Sequence, residues 1–114
     1  MSPSLLDFLQ HILHECSYLI HLKEGKTRPQ LLDDETLSKA IVRSMEIIGE
    51  ATKKLPEELK NKYPHIDWEE MAGMRDVLIH HYFGIDYDVV WITLTRDIPK
   101  LYQELNLIVE LESK

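Results

Sequence analysis

The sequence lacks the features that stabilise small secreted domains or anchor proteins in membranes. Cys16 is its one cysteine, so no disulfide can form within the chain, and its apolar neighbours predict a buried thiol. No apolar run approaches the roughly 18 residues needed to cross a bilayer, and no basic stretch precedes an apolar one at the start. These absences predict a soluble protein of the cytoplasm, with no membrane partner.

Glycine, proline and positive charge are also scarce. The 114 residues include four glycines and five prolines, and 44% are hydrophobic, which predicts one globular domain spanning residues 1–114. Lys and Arg number 13 against 20 Asp and Glu, so the net charge is -7. Because each phosphate contact needs a Lys or Arg, this balance argues against broad adhesion to nucleic acid. An RNA substrate would need a local basic spot.

Helical periodicity is the main structural signal in the chain. Apolar residues recur at i, i+3, i+4 and i+7 in three long stretches, residues 5–20, 37–55 and 87–108. No segment alternates with period two for long. The pattern predicts an all-α bundle of four main helices plus a possible short helix through Leu59, with the last helix kinked at Pro99.

Capping residues predict where these helices begin. Ser2 followed by Pro3 is typical of a helix N-terminus, and Asp86 is predicted to cap the last helix. Residues 23–30 contain a glycine and a proline and are predicted to form a loop. The bundle is therefore expected to have short connections.

The stretch GMRDVLIHHYFG, residues 73–84, places charged and ring side chains in an otherwise apolar run. Asp67 with Glu70 three residues later resembles a capping box, which predicts a helix from residue 68 to about residue 82 that Gly84 ends. On that helix Arg75 would lie at the centre of the apolar face. These charged and ring side chains therefore either stabilise the packing of the helix or form a functional site.

A buried guanidinium such as that of Arg75 costs several kcal/mol unless it is paired. One interpretation is structural, with Arg75 bonded to an acid of a neighbouring helix, for which Glu46 and Glu50 are candidates. The other is functional, with an anionic ligand such as a phosphate at this position. The residues alone leave both open.

His80 follows Arg75 by five residues, so on one straight helix the two side chains are rotated by about 140° and separated by about 7.5 Å along the axis. A site using both is easiest to build if the helix ends near His80 or if two copies of the chain face each other. Asp76 is the i, i+4 neighbour of His80 and could orient the imidazole. The alternative is an ordinary histidine on a polar face.

Arg75, four residues, His80, one residue and Tyr82 match the Arg-x4-His-x-Tyr signature, so the chain resembles HepT toxins of the HEPN superfamily. The resemblance covers nearly the whole chain, from Leu5 to about Leu105. Three flanking segments resemble the same family: IIGEA (47–51), YPHIDWEEMAGMRD (63–76) and YFGIDYDVVW (82–91).

This resemblance implies a metal-independent ribonuclease without a cofactor, which acts on RNA as a homodimer with its cleft between the signature segments of two protomers. It gives Arg75 and His80 the catalytic roles. His80 would move a proton at the 2'-hydroxyl or the leaving oxygen, and Arg75 would clamp the scissile phosphate. Asp76 would support them by orienting one or the other.

The resemblance also implies a toxin–antitoxin pair, in which the partner is a minimal nucleotidyltransferase antitoxin of the MntA type. Tyr82 would accept AMP from it, and the added phosphate and adenosine would neutralise Arg75 and block RNA. The alternative function is a non-catalytic helical binding subunit of a nucleotidyltransferase complex. In that case Arg75 and His80 would serve partner affinity alone.

Four further ring side chains share the polar face of the first predicted helix: His11, His14, Tyr18 and His21. Histidines at i, i+3 can bind zinc or nickel, but no second cluster of ligands supports a metal site, so a solvated or interface face is favoured. His81 has no role in the signature.

Overall fold

The structure is a computed structural model that describes residues 2–74, 79–80 and 84–114, with the backbone alone at residues 79 and 80. These residues form an all-α fold, as predicted, apart from one pair of two-residue strands. No helix among them is both long and apolar enough to span a bilayer. The elements are α1 (Pro3–Lys23), α2 (Arg28–Leu32), α3 (Glu35–Lys53), α4 (Glu57–Lys62), α5 (Trp68–Ala72), β1 (Ile79–His80), β2 (Gly84–Ile85), α6 (Tyr87–Ile92), a π-helical segment (Thr93–Asp97) and α7 (Ile98–Glu112).

The long helices α1, α3 and α7 form the body of the bundle, with α1 packed against both others. Ser2 caps α1 as predicted, because its hydroxyl accepts a hydrogen bond from the Leu5 amide at 3.2 Å. Cys16 is fully buried between the helices, and that burial raises the pKa of its thiol to about 12. The core includes fully buried side chains from all three helices: Leu9, Ile12, Leu19, Ile41, Met45, Ile48, Ile98 and Leu105.

The predicted loop at residues 23–30 ends in helix α2, which the sequence reading missed. Thr27 and Gln30 form a reciprocal capping box, in which the Thr27 amide donates to Gln30 Oε1 at 2.8 Å. The short helix buries Leu31 and Leu32. The possible short helix through Leu59 is confirmed as α4.

The interruption predicted at Pro99 takes the form of a π-helical segment directly before it. Asp86 caps α6 as expected, and the helix then changes to π-helical geometry over Thr93–Asp97 before α7 begins. Proline cannot donate a hydrogen bond to the carbonyl four residues earlier, and its ring crowds that carbonyl. The amide of Ile98 donates to the Thr93 carbonyl instead, an i+5 bond that accommodates the proline without ending the apolar stripe.

One predicted helix is wrong in its extent. The helix expected from residue 68 to about residue 82 ends as α5 at Ala72, with Gly73 as its C-cap. Ile79–His80 instead forms a strand that pairs antiparallel with Gly84–Ile85. Residues 77–83 are a short run rich in β-branched and aromatic residues, for which periodicity does not distinguish helix from strand. The rotation calculated for Arg75 and His80 on one helix therefore does not apply.

Candidate active site

The signature side chains themselves lie outside the described residues. This holds for Arg75, Asp76, His81 and Tyr82, and for the side chain of His80, whose backbone lies in β1. The structure does describe the chain that enters and leaves this segment. The residues that hold the chain on either side of the segment therefore define where it begins and ends.

The entry to the segment is held by two side chains that fix α5. The indole Nε1 of Trp68 donates to the Tyr63 carbonyl at 2.9 Å in a buried position, and Trp68 itself is buried. Asp67 caps the helix as predicted, because its Oδ1 accepts from the Glu70 amide at 2.9 Å. Two hydrogen bonds, one buried and one exposed, thus hold the backbone between Tyr63 and Glu70.

Close approach of two backbones fixes the end of α5. A Cβ built on Gly49 of α3 would lie 3.3 Å from the Met71 carbonyl oxygen, 3.4 Å from that of Ala72 and 3.7 Å from Met74 Cβ. Only glycine lets the two helices approach this closely without a shift. Met74 is buried at this junction and directly precedes Arg75 in the sequence.

The exit from the segment is held by the two short strands. His80 pairs with Gly84, and Ile79 pairs with Ile85. Gly84 has a φ of 77°, a left-handed conformation that side chains other than glycine rarely adopt. Asp86 then caps α6 by accepting from the amides of Asp88 and Val89 at 3.1 and 3.3 Å.

Parts of the three resembling flanks belong to these supports. Gly49 of residues 47–51 lies on α3 against Met71 and Ala72 of residues 63–76. The strand Gly84–Ile85, within residues 82–91, pairs with the backbone of Ile79–His80. Glu46, one of the two predicted partners of Arg75, lies 3.7 Å from Arg43 on its own helix. Whether Arg75 is paired with an acid concerns a side chain outside the described part of the chain.

A cleft of about 140 Å³ opens beside Met74. Its lining includes four buried apolar side chains, which are Ile66 before α5, Met71 in α5, Met74 after α5 and Leu101 of α7. The sequence reading missed this cleft. Residues 65–74 adjoin the signature in sequence, but residues 93–104 reach the cleft only through the packing of the last helix.

The rim of the cleft is polar and mostly exposed. The Asp97 carboxylate accepts from Arg96 Nε at 2.8 Å, and Lys100 Nζ lies 3.8 Å from Glu104 Oε1. A hydrogen bond with the Asp67 carboxyl raises the pKa of Glu70, and partial burial and the nearby negative charges add to that shift. Glu70 therefore holds a proton more readily than an ordinary glutamate does.

The histidine face of α1 shows no sign of a metal centre. His11, His14 and His21 are exposed, and His21 Nδ1 lies 2.7 Å from the Ser17 carbonyl of its own helix. Among the residues whose side chains are described, no three of His, Cys, Asp or Glu are placed to hold a metal ion.

Comparison with known proteins assigns the family. Residues 12–108 match the family described as "Ribonuclease HepT-like". A provisionally named RNase of Caldanaerobacter subterraneus subsp. tengcongensis is 45% identical over 105 residues, 92% of this chain and 94% of that protein. A ribonuclease of Thermococcus cleftensis, provisionally named HepT, is 41% identical over 101 residues, 89% of this chain and 92% of that protein.

A provisionally named RNase of Methanocaldococcus jannaschii is 42% identical over 103 residues, which cover 90% of this chain and 85% of that protein. No solved structure matches the chain. The family match spans most of the chain and contains the whole segment from Arg75 to Tyr82. The chain therefore belongs to the HepT-like family of HEPN ribonucleases.

Proposed function

We propose that this ribonuclease is a metal-independent toxin that cuts RNA in a cleft formed by two copies of the chain. The observation that carries the proposal is the intact Arg75-x4-His80-x-Tyr82 signature inside the family match over residues 12–108. The placement of the supports agrees with it. Gly49 admits the end of α5 against α3, and the β1–β2 pairing fixes the backbone at His80.

The proposed chemistry divides between Arg75 and His80. Arg75 presents a planar fork of donors, which suits a phosphate better than a lysine does, and it would stabilise the charge that grows on the phosphate oxygens. His80 would move a proton at the 2'-hydroxyl or the leaving oxygen, a role for which imidazole is the side chain that enzymes use most often. Asp76 would orient one of these two groups.

A two-fold pair of chains would supply two guanidinium and two imidazole groups. Such a pair also reconciles the chemistry with a net charge of -7, because only the cleft needs to attract phosphate. In this arrangement the Arg75 of one protomer approaches the His80 of its partner.

Regulation is proposed to act on the same segment. A nucleotidyltransferase antitoxin of the MntA type would transfer AMP from ATP to the Tyr82 hydroxyl, two residues from His80. The tyrosyl oxygen would bond to the α-phosphorus while the bond to the β-phosphate breaks, so that pyrophosphate leaves and the hydroxyl proton is released. The added phosphate would pair with the Arg75 guanidinium, which otherwise binds RNA, and the adenosine would fill the cleft between the two protomers.

The test is cleavage of RNA by the purified protein in the presence of EDTA. We expect Arg75→Ala and His80→Ala to lower the cleavage rate by at least about a hundredfold, the usual loss for a transition-state donor or an acid–base group. His81→Ala, which removes the neighbouring imidazole, is the control and should cleave at the wild-type rate. If the wild-type protein is inert and both variants instead lose affinity for the nucleotidyltransferase, the chain is a non-catalytic binding subunit.

A further inference from the structure

The cleft beside Met74 is a second binding feature, next to but distinct from the signature. We propose that it receives one pyrimidine base of the RNA, cytosine in preference to uracil, and so selects the nucleotide beside the scissile phosphate. This inference rests on the proposed ribonuclease function, because Met74 directly precedes Arg75. This adjacency in sequence connects the cleft to the proposed phosphate site.

The size of the cleft fits one aromatic ring. Its volume is about 140 Å³, and an apolar protein cavity of about 150 Å³ is known to hold one benzene molecule. A six-membered ring therefore matches the space, with the sugar and phosphate left outside.

The walls of the cleft suit the faces of such a ring. Met71 and Met74 are both buried, and they line the cleft together with Ile66 and Leu101. Thioether groups are polarisable and pack favourably against aromatic rings. Bases of single-stranded RNA are commonly recognised when they leave the stack and insert between side chains.

The rim of the cleft supplies hydrogen-bond acceptors. Asp97 is paired with Arg96, and Glu104 lies beside Lys100. Asp67 Oδ1 accepts from the Glu70 amide at 2.9 Å, and the Glu70 carboxyl group lies on the same rim. Two of the four rim carboxyl groups thus have a cation beside them, and all four offer acceptor oxygens to a ligand.

The acceptors at the rim distinguish the two pyrimidines. The N4 amino group of cytosine donates hydrogen bonds, and carboxylates of Glu and Asp are its usual protein acceptors. Uracil carries a carbonyl oxygen at the same position, which faces the carboxyl oxygens of Glu70 and Asp67 unfavourably. Asp97 lines the same rim and adds a further acceptor.

Methionine methyl groups give a direct readout of the cleft. The chain has four methionines, and two of them, Met71 and Met74, line the cleft. Met45 is fully buried in the core and serves as the internal control. We would label the methionine methyls with ¹³C, assign them by Met→Leu substitution and titrate the full chain with cytidine, uridine and methylguanidinium.

We expect cytidine to shift the Met71 and Met74 resonances but not that of Met45, with an affinity about two- to tenfold higher than that of uridine, the range of one net hydrogen bond. Glu70→Ala should weaken cytidine binding by a similar factor. Glu70→Gln should narrow the ratio between the two nucleosides, because an amide can also donate to the uracil oxygen. Glu69→Ala, an exposed acid one residue away, is the control and should leave both affinities unchanged.

Equal shifts with cytidine and uridine, or no shift with either, would overturn the proposal. So would shifts with methylguanidinium alone, which would assign the cleft to a basic side chain of a partner protein. The nucleoside titration requires no catalysis, so its outcome is separable from that of the cleavage assay. A protein that cuts no RNA but still prefers cytidine would contradict the proposed function and leave the base preference standing.

Discussion

The carbonyl oxygen of Met71 lies 3.3 Å from the position that a Cβ on Gly49 would occupy, so helices α3 and α5 meet backbone to backbone. This contact fixes the end of α5 three residues before Arg75. A methyl group at Gly49 would push the two backbones apart by a few tenths of an ångström, and the displacement would be passed directly to the signature segment.

Gly49→Ala is therefore expected to change activity more than stability. Alanine gains about 1 kcal/mol of helix propensity over glycine, which offsets much of the cost of the contact. The free energy of unfolding should change by less than about 1 kcal/mol, whereas RNA cleavage should fall at least about tenfold, because small misplacements of catalytic groups are costly. Denaturant unfolding and initial cleavage rates measure the two effects.

Gly25→Ala is the matched control and should show the opposite pattern. Gly25 has a φ of 69° and no neighbour within 4 Å of a built Cβ, so alanine there strains the backbone without touching the site. We expect a loss of about 1–2 kcal/mol in stability at an unchanged cleavage rate. Equal cleavage rates for the wild type and Gly49→Ala would show that Gly49 does not position the catalytic segment.

The end of α7 is bonded to the end of α4 and to the residue that follows it through one carboxylate. Glu112 Oε2 accepts from Lys62 Nζ at 2.7 Å and from Tyr63 Oη at 2.6 Å. These two bonds lower the pKa of Glu112, Lys62 being the larger cause. A depressed folded-state pKa contributes stability that is present above the ordinary glutamate pKa and is lost as pH falls through the folded-state value.

Glu112→Gln should therefore lower Tm at pH 7 and have a progressively smaller effect as pH falls below about 4, near the ordinary pKa of glutamate. Thermal unfolding of both proteins from pH 7 to pH 3 measures the difference. Glu110→Gln, an exposed acid on the same helix, is the control. A constant difference in Tm across this range would show that the carboxylate charge of Glu112 does not stabilise the fold.

Glu70 is expected to show the opposite sign. Its pKa is raised in the folded state, chiefly by the hydrogen bond with Asp67, so its ionisation destabilises the fold above that pKa. Glu70→Gln should raise Tm at pH 7, and the gain should vanish below about pH 4, where Glu70 is protonated in both states. A gain that persists at pH 3 would mean that the like charges at the rim are not its cause.

Tyr82 is expected to carry AMP when the chain is co-expressed with a nucleotidyltransferase of the MntA type. Intact-mass spectrometry would detect the addition, and peptide mapping would place it. Tyr82→Phe should abolish the modification, whereas Tyr87→Phe, an exposed tyrosine nearby in sequence, should retain it. AMP on another residue, or no AMP at all, would refute the proposed regulation.

The sequence predicted the helices whose apolar stripe is long and whose caps are strong. Ser2, Asp67 and Asp86 all cap the helices that they were expected to cap. The predicted helix was wrong in its extent where the apolar run is short, at residues 77–83. Residues 79–80 adopt a strand because tertiary pairing with Gly84–Ile85 outweighs a helical tendency that the local residues do not enforce.

The signature could be recognised from its spacing, Tyr82 and the flanking segments together, but the three-dimensional contacts around it could not. The closeness of Gly49 to Met71 depends on how α3 and α5 pack, and no local pattern reports it. The same applies to the cleft, which joins the Asp67–Met74 region to α7. The link between Tyr63 and Glu112 spans 49 residues and follows only from the fold.

Arg75 of one protomer and His80 of the other are proposed to act on the same phosphodiester. The direct test mixes Arg75→Ala and His80→Ala proteins, each inactive alone, and exchanges their subunits. After random exchange, half of all dimers would contain one copy of each variant, and each of these mixed dimers would have one intact site out of two. We therefore predict about a quarter of the wild-type cleavage rate. A mixture that stays inactive although mass spectrometry shows mixed dimers would contradict a site shared between protomers.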